Sequence, residues 1–345
     1  MNQKCICGSG LAIDECCIKK YPSLKLNKKD IKDCTKYENW DRQRQSVWQL
    51  VAKTLNECSN FSKQNIIIFG AGACDDLPID FICDKFSEIV LVDIDSKALN
   101  EALKKIPNNL KDKVILVEWD VTGLYTNSEL KLCLEKAKNG TYKTVEDVIK
   151  DISKLTIKIQ DLDVPIEIQK RMPFSVVLSD LIVTQLFTNY FYGEVSLNLI
   201  KLDSAIFERN LSDFNIKDIV DFLLCQHLKL LQKVTTIHGK IIILADTFVY
   251  GTEANLLKSP FNEVIKKNPE FISNYRKITS QDIVGWMNNY SVAGSNIPYH
   301  IKTNNFNRLH TDRVTWWWWI FNKERLYFVM GYVFTVCDHD VNMYD

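Results

Sequence analysis

The stretch Asn65-Ile66-Ile67-Ile68-Phe69-Gly70-Ala71-Gly72-Ala73-Cys74-Asp75-Asp76 decides how this chain is read. Its unbroken apolar run predicts a strand buried on both faces, as in a parallel sheet. The glycines after it predict a tight turn. Pro78 then predicts the first turn of a helix, where its missing N–H costs nothing. Downstream the pattern repeats. Glu88-Ile89-Val90-Leu91-Val92 reads as a second strand ending on Asp93-Ile94-Asp95, and a helix carries Ala98, Leu99, Ala102 and Leu103. Val114-Ile115-Leu116-Val117 reads as a third strand ending at Glu118-Trp119-Asp120-Val121. Strand, helix, strand, helix, strand is the first half of a doubly wound sheet.

The glycine turn serves a cofactor, and electrostatics discriminate between the candidates. A dinucleotide site wants a third glycine and an unobstructed helix N-terminus for pyrophosphate. Here Cys74 follows the glycines, and Asp75 and Asp76 crowd that place with like charge. The same acids suit the sulfonium and amino group of S-adenosylmethionine, although helix capping is the plainer role for one of them. Asp93, about twenty residues past the glycines, is placed for the ribose hydroxyls. Asp120, at the third strand tip, is placed for the adenine amino group.

These tip positions resemble motifs I, II and III of class I S-adenosylmethionine-dependent methyltransferases. The loop is also similar to a bacterial branch in which Gly-Ala-Gly-x-Cys-x-Asp-Leu replaces Asp-x-Gly-x-Gly-x-Gly. The chain departs from the commoner form at Ile68, where an acid usually stands, and at Cys74, which replaces the third glycine. The resemblance implies an α/β fold: a Rossmann-like seven-stranded sheet with helical insertions. It implies a cofactor site of Gly70, Ala71, Gly72, Cys74, Asp76, Asp93, Ile94, Asp120, Val121 and Ser179.

Residues 126–172 read as a helical insertion. Pro173-Phe174-Ser175-Val176-Val177-Leu178-Ser179-Asp180-Leu181 is the fourth strand, and Asp180 at its end is the candidate to orient or deprotonate the methyl acceptor. Lining the cofactor pocket or capping the next helix is the alternative role for Ser179 and Asp180. No Asn-Pro-Pro-Tyr or Pro-Cys motif marks the acceptor. Residues 240–246 are a fifth strand. Two aromatic segments, 315–321 and 326–334, flank a polar tip and read as a terminal antiparallel pair, with consecutive tryptophans on alternate faces, where core packing is the favoured role and stacking on an aromatic acceptor the alternative. Residues 247–313, with Tyr290, His300, His310, Asp312 and Arg313, read as loop-rich and are expected to build acceptor specificity.

Outward in the other direction lies Cys5-Ile6-Cys7-Gly8-Ser9-Gly10 and, further on, Cys16-Cys17. Four thiolates in two close pairs suit tetrahedral zinc, and a segment this short has no core of its own. The spacing resembles the SEC-C motif, which implies a zinc ion held by Cys5, Cys7, Cys16 and Cys17. Domain expectations follow: a zinc motif over 1–22, a basic linker and helix over 23–64, and the methyltransferase domain over 65–345. The motif is expected to be nearly independent of that core. Lys19, Lys20, Lys25, Lys28, Lys29 and Lys32 form either a solvated linker or an arm that docks on an acidic protein or RNA partner. Apolar spacing over 36–58 predicts a helix ahead of the first strand.

The 43 basic and 43 acidic residues balance, which argues against a protein that holds long duplexes through phosphates. No signal segment or membrane span is read, and eleven cysteines, an odd number, fit a reducing cytoplasm. The expectation is methyl transfer from S-adenosylmethionine, to a protein or small molecule ahead of RNA. A non-catalytic adaptor with a degenerate cofactor domain is the rival, and a nicotinamide dehydrogenase stands third.

Overall fold

In the computed structural model, the described residues are 4–5, 11–12, 15–21, 40–57, 64–159, 162–204, 206, 214, 216–252, 259–290, 295–304, 306–322 and 324–338. Seven strands form one sheet: β1 (Asn65–Phe69), β2 (Glu88–Asp93), β3 (Val114–Glu118), β4 (Phe174–Asp180), β5 (Thr235–Gly251), β6 (Leu309–Asn322) and β7 (Arg325–Val336). Their spatial order is β3-β2-β1-β4-β5-β7-β6. The first five are parallel. β7 inserts antiparallel between β5 and β6. The expected seven-stranded α/β sheet is present, with its antiparallel pair at one edge.

Alternation along the strands sorts their side chains between two layers. Ile66, Ile68, Leu91, Leu178 and Ile242 face the helices Asp41–Asn56, Ile79–Lys85 and Ser96–Lys105. Ile67, Phe69, Val90, Val177 and Ile241 face the helix Lys217–Val234. The tryptophan run obeys the same rule, with Trp317 and Trp319 in the first layer and Trp318 in the second. A third apolar cluster unites the insertion helices Ser128–Lys138 and Val145–Ile157 with Phe187, Phe191 and Leu199 beyond β4.

Four local expectations shift. Pro78 sits at the N-cap, so its helix begins at Ile79. The helix read over 36–58 spans Asp41–Asn56. β5 outruns residues 240–246 because β7 pairs with it as far as Gly251. Residues 247–313 are not mainly loop, since Pro260–Lys267, Ser280–Tyr290 and Ile297–Thr303 are helical. Among the described residues, no helix is long and apolar enough to cross a membrane.

The N-terminal segment does not stand apart from the sheet domain. Cys5, Cys17 and Tyr21 are buried in the first layer's core. The Tyr21 ring meets Phe81 edge-on at 5.2 Å, and its hydroxyl donates to Asp84 Oδ2 at 2.7 Å. Lys20 Nζ reaches the same oxygen at 2.9 Å. The apolar ring, too large to be covered by so short a segment, finds its cover on the helix that follows the glycine turn.

Candidate functional site

Strand order reverses between β1 and β4, so the loops leaving their C-terminal ends diverge and open a crevice. A cavity of about 390 Å³ occupies it, walled by the Gly70–Ala73 turn, Asp75, Asp76, Asp93, Ile94, Asp120, Val121 and Asp180. Pleating builds the turn. Gly70 and Ala71 donate to Val92 O at 3.0 and 3.1 Å, and Gly72 N donates to Asp93 Oδ2 at 2.8 Å. Gly70 holds φ +74, and a Cβ there would stand 2.7 Å from Asp180 O. Side chains of two neighbouring helices brace the turn. Lys105 Nζ donates to Ala73 O and Asp75 Oδ1, both at 2.6 Å, and Arg44 bonds Asp75 O and Asp41.

Each acid has a different local role. Asp93 Oδ1 accepts from Asp95 N at 2.9 Å while Oδ2 takes Gly72, which fixes the carboxylate at the tip of β2. Asp120 Oδ1 accepts from Thr122 N at 2.9 Å and Thr122 Oγ1 at 2.6 Å, and Oδ2 accepts from Tyr125 N at 2.9 Å. Asp95, not Asp75 or Asp76, is a helix cap, accepting from Lys97 N and Ala98 N. Asp76 is pushed up to about 6 by loss of solvent, with the Asp75 charge adding.

Asp180 is the outlier. It is 4% exposed, it lines the cavity, and its Oδ1 has no hydrogen-bond partner. Burial raises its carboxyl well above the usual range, and Asp76, Asp93 and Asp246 push the same way. Asp246, held by the Thr184 hydroxyl, is raised by burial to about 7.

Two expected site residues lie off the wall. Cys74 is buried at φ 53, with its thiol turned into the first layer's core and raised by burial. Ser179 is buried on the opposite face of β4, where its Oγ lies 2.9 Å from His227 Nε2. Neither touches the cavity. Residues 247–313 contribute nothing to its wall among the described residues. His300 is buried near Asp221 at 3.4 Å, Asp312 accepts from Lys240 at 2.8 Å, and Arg313 pairs with Glu57.

One wall is aromatic, and it joins the tryptophan run, read mainly as core, to Trp40, which sequence reasoning did not place there. Trp40, Trp319 and Phe321 close one side. Trp40 and Trp319 meet edge-on at 4.9 Å, Trp319 and Phe321 at 5.1 Å, and Trp40 Nε1 donates to Phe321 O at 3.1 Å. Gln185 and Asn189, from the segment after β4, face the same space with Tyr125.

The thiol cluster lies apart from this cavity. Sγ atoms of Cys5, Cys16 and Cys17 lie within 4.8 Å of one another, with Cys16 and Cys17 at 3.9 Å. Cys7, Lys25, Lys28, Lys29 and Lys32 lie outside the described residues.

No family model and no curated protein sequence matches the chain. Among solved structures, similar chains include a magnesium protoporphyrin IX methyltransferase from Synechocystis PCC 6803 with bound S-adenosylhomocysteine. That match has 9% identity and a TM-score of 0.40, covering 92% of this chain and 93% of the other. An N-methyltransferase from Bradyrhizobium japonicum WM9 matches at 8% identity and TM-score 0.36, covering 87% and 97%. An S-adenosylmethionine-dependent methyltransferase from Methanosarcina mazei matches at 8% and 0.37, covering 80% and 93%. Likeness of this degree says nothing of ligand or chemistry. The cavity must speak for those.

Proposed function

We propose that the chain is a methyltransferase that binds S-adenosylmethionine in the crevice between β1 and β4. The observation that carries this reading is the uncompensated acid of the cavity. Five aspartates line it and, among the described residues, no lysine, arginine or histidine does. Carboxylates in that condition favour a cationic ligand, and they repel the pyrophosphate of a dinucleotide. A volume near 390 Å³ falls within the range of small-molecule sites.

The residues present fit the cofactor. Gly72 leaves open space where a side chain would stand, and Gly70 and Ala71 bring backbone to the wall. Asp93 and Asp120, each fixed by backbone N–H groups, keep acceptor capacity for ribose hydroxyls and the adenine amino group. Ile94 and Val121 provide apolar wall beside them. When bound, S-adenosylmethionine supplies an electrophilic methyl group: the acceptor's lone pair forms the new bond as carbon–sulfur cleaves, and the electron pair stays on sulfur. The protein's contribution is alignment, and a proton acceptor where the nucleophile must shed one. Asp180 is the group in reach of that task.

We further infer that Cys5, Cys16 and Cys17, with Cys7, hold a structural zinc ion. Tetrahedral thiolates at about 2.3 Å from zinc stand about 3.8 Å apart, close to the 3.9 Å between Cys16 and Cys17 Sγ. With four thiolates the site is closed, so it organises the segment and activates no water. Mass spectrometry of ligand released from gently purified protein tests the main reading. S-adenosylmethionine or S-adenosylhomocysteine is expected, and a nicotinamide cofactor in its place would refute it.

A further inference from the structure

The balance of charge in the cavity also bears on what accepts the methyl group, granted that the crevice holds S-adenosylmethionine. Protein groups already engage three of the five aspartates. Asp75 is paired with Lys105, and the carboxylates of Asp93 and Asp120 take backbone N–H groups. Arg44 and Lys105 also act on Asp76, whereas among the described residues only acids act on Asp180. S-adenosylmethionine carries two positive charges and one negative, a net charge of plus one. Five wall carboxylates then stand against three positive charges, those of Lys105, Arg44 and the ligand, and Asp180 Oδ1 is the atom without a partner.

The remaining wall narrows the choice. Trp40, Trp319 and Phe321 offer apolar surface with negative ring faces, which favours a cation. Gln185 and Asn189 add neutral polar contacts. A phosphate or carboxylate acceptor would meet like charge and, among the described residues, no basic side chain on the wall.

We propose that the methyl acceptor is an amine that enters as its ammonium form, hydrogen-bonded through N–H to Asp180 and lying against the Trp40–Trp319–Phe321 wall. An ammonium nitrogen has no lone pair until it loses a proton. The Asp180 carboxylate would receive that proton, the freed lone pair would form the nitrogen–carbon bond as the methyl's carbon–sulfur bond breaks, and the product would leave as a secondary ammonium beside S-adenosylhomocysteine. Asp180 then returns its proton to water. Burial and the neighbouring acids suit it to hold a proton in the interval.

The test uses full-length protein saturated with S-adenosylhomocysteine and three probes of one shape: benzylamine, benzyl alcohol and benzoate. Calorimetry should show benzylamine binding tighter than either other probe by about tenfold or more. In Asp180→Asn that preference should vanish while S-adenosylhomocysteine still binds, which also shows that the variant folds. Equal affinities, preference for benzoate, no benzylamine binding, or an unchanged preference in Asp180→Asn would overturn the amine assignment. Failure of S-adenosylhomocysteine to bind wild type would instead overturn the cofactor reading.

Discussion

A Cβ on Gly70 would stand 2.7 Å from the backbone oxygen of Asp180 and 3.0 Å from Ile182 Cβ, so β1 and β4 meet at the crevice with no room for a side chain. The contact joins the turn that would hold the cofactor to the residue that would face the acceptor.

Gly70 and Gly72 therefore differ in what they tolerate. Gly70→Ala suffers both the left-handed φ of +74 and the backbone clash, and should lose several kcal/mol, more than the roughly 1–2 kcal/mol of the φ effect alone. Gly72→Ala has φ +49 and open space around its Cβ, and should lose only that smaller amount. Urea unfolding of both variants checks the order. Equal losses would mean that β4 shifts freely against the turn.

The ends of β1 to β4 were legible because parallel strands buried on both faces read as apolar runs, and the acids at their tips follow at once. Which way a tip side chain turns was not. Cys74 adopts φ 53 and turns inward, and Ser179 lies on the face of β4 that meets His227, one step of pleat from Asp180. The aromatic wall was hidden for another reason. Trp40 and Phe321 are 281 residues apart, and only the return of β6 to the sheet edge brings them together. Likewise nothing near residue 75 announced that Lys105 would take its charge.

Asp76 sets a pH dependence. Its folded pKa near 6 lies above its ordinary value of 3.8, so its contribution to stability is full below about pH 4 and is lost as pH rises through 6. Asp76→Asn should accordingly raise the melting temperature more at pH 8 than at pH 5. Cation binding runs the other way, because the ionised acid attracts it. S-adenosylmethionine affinity should rise between pH 5 and about pH 7.5, and that of the product, which lacks the sulfonium, should rise less. Parallel pH profiles for the two ligands would remove Asp76 from the site.

Docking of the N-terminal segment on Phe81 and Asp84 couples the thiol cluster to the sheet domain. Tyr21→Phe removes the hydroxyl bond to Asp84 and should cost about 1 kcal/mol. A double Cys16→Ser, Cys17→Ser variant, or chelation of wild type, should lower the main melting transition, and the variant should not retain the zinc proposed for the wild type. A main transition that does not move would show that the segment folds independently.

The central claim is that the acid-lined crevice between β1 and β4 is built for S-adenosylmethionine. Isothermal titration of the whole chain with S-adenosylmethionine, S-adenosylhomocysteine and NAD, repeated on Asp93→Ala, measures it most directly. The account predicts one site per chain for the first two and no binding of NAD. It predicts a loss of about tenfold or more in Asp93→Ala, where the fixed acceptor for the ribose is gone. Binding of NAD in preference, or an affinity for S-adenosylmethionine that Asp93→Ala leaves unchanged, would contradict it.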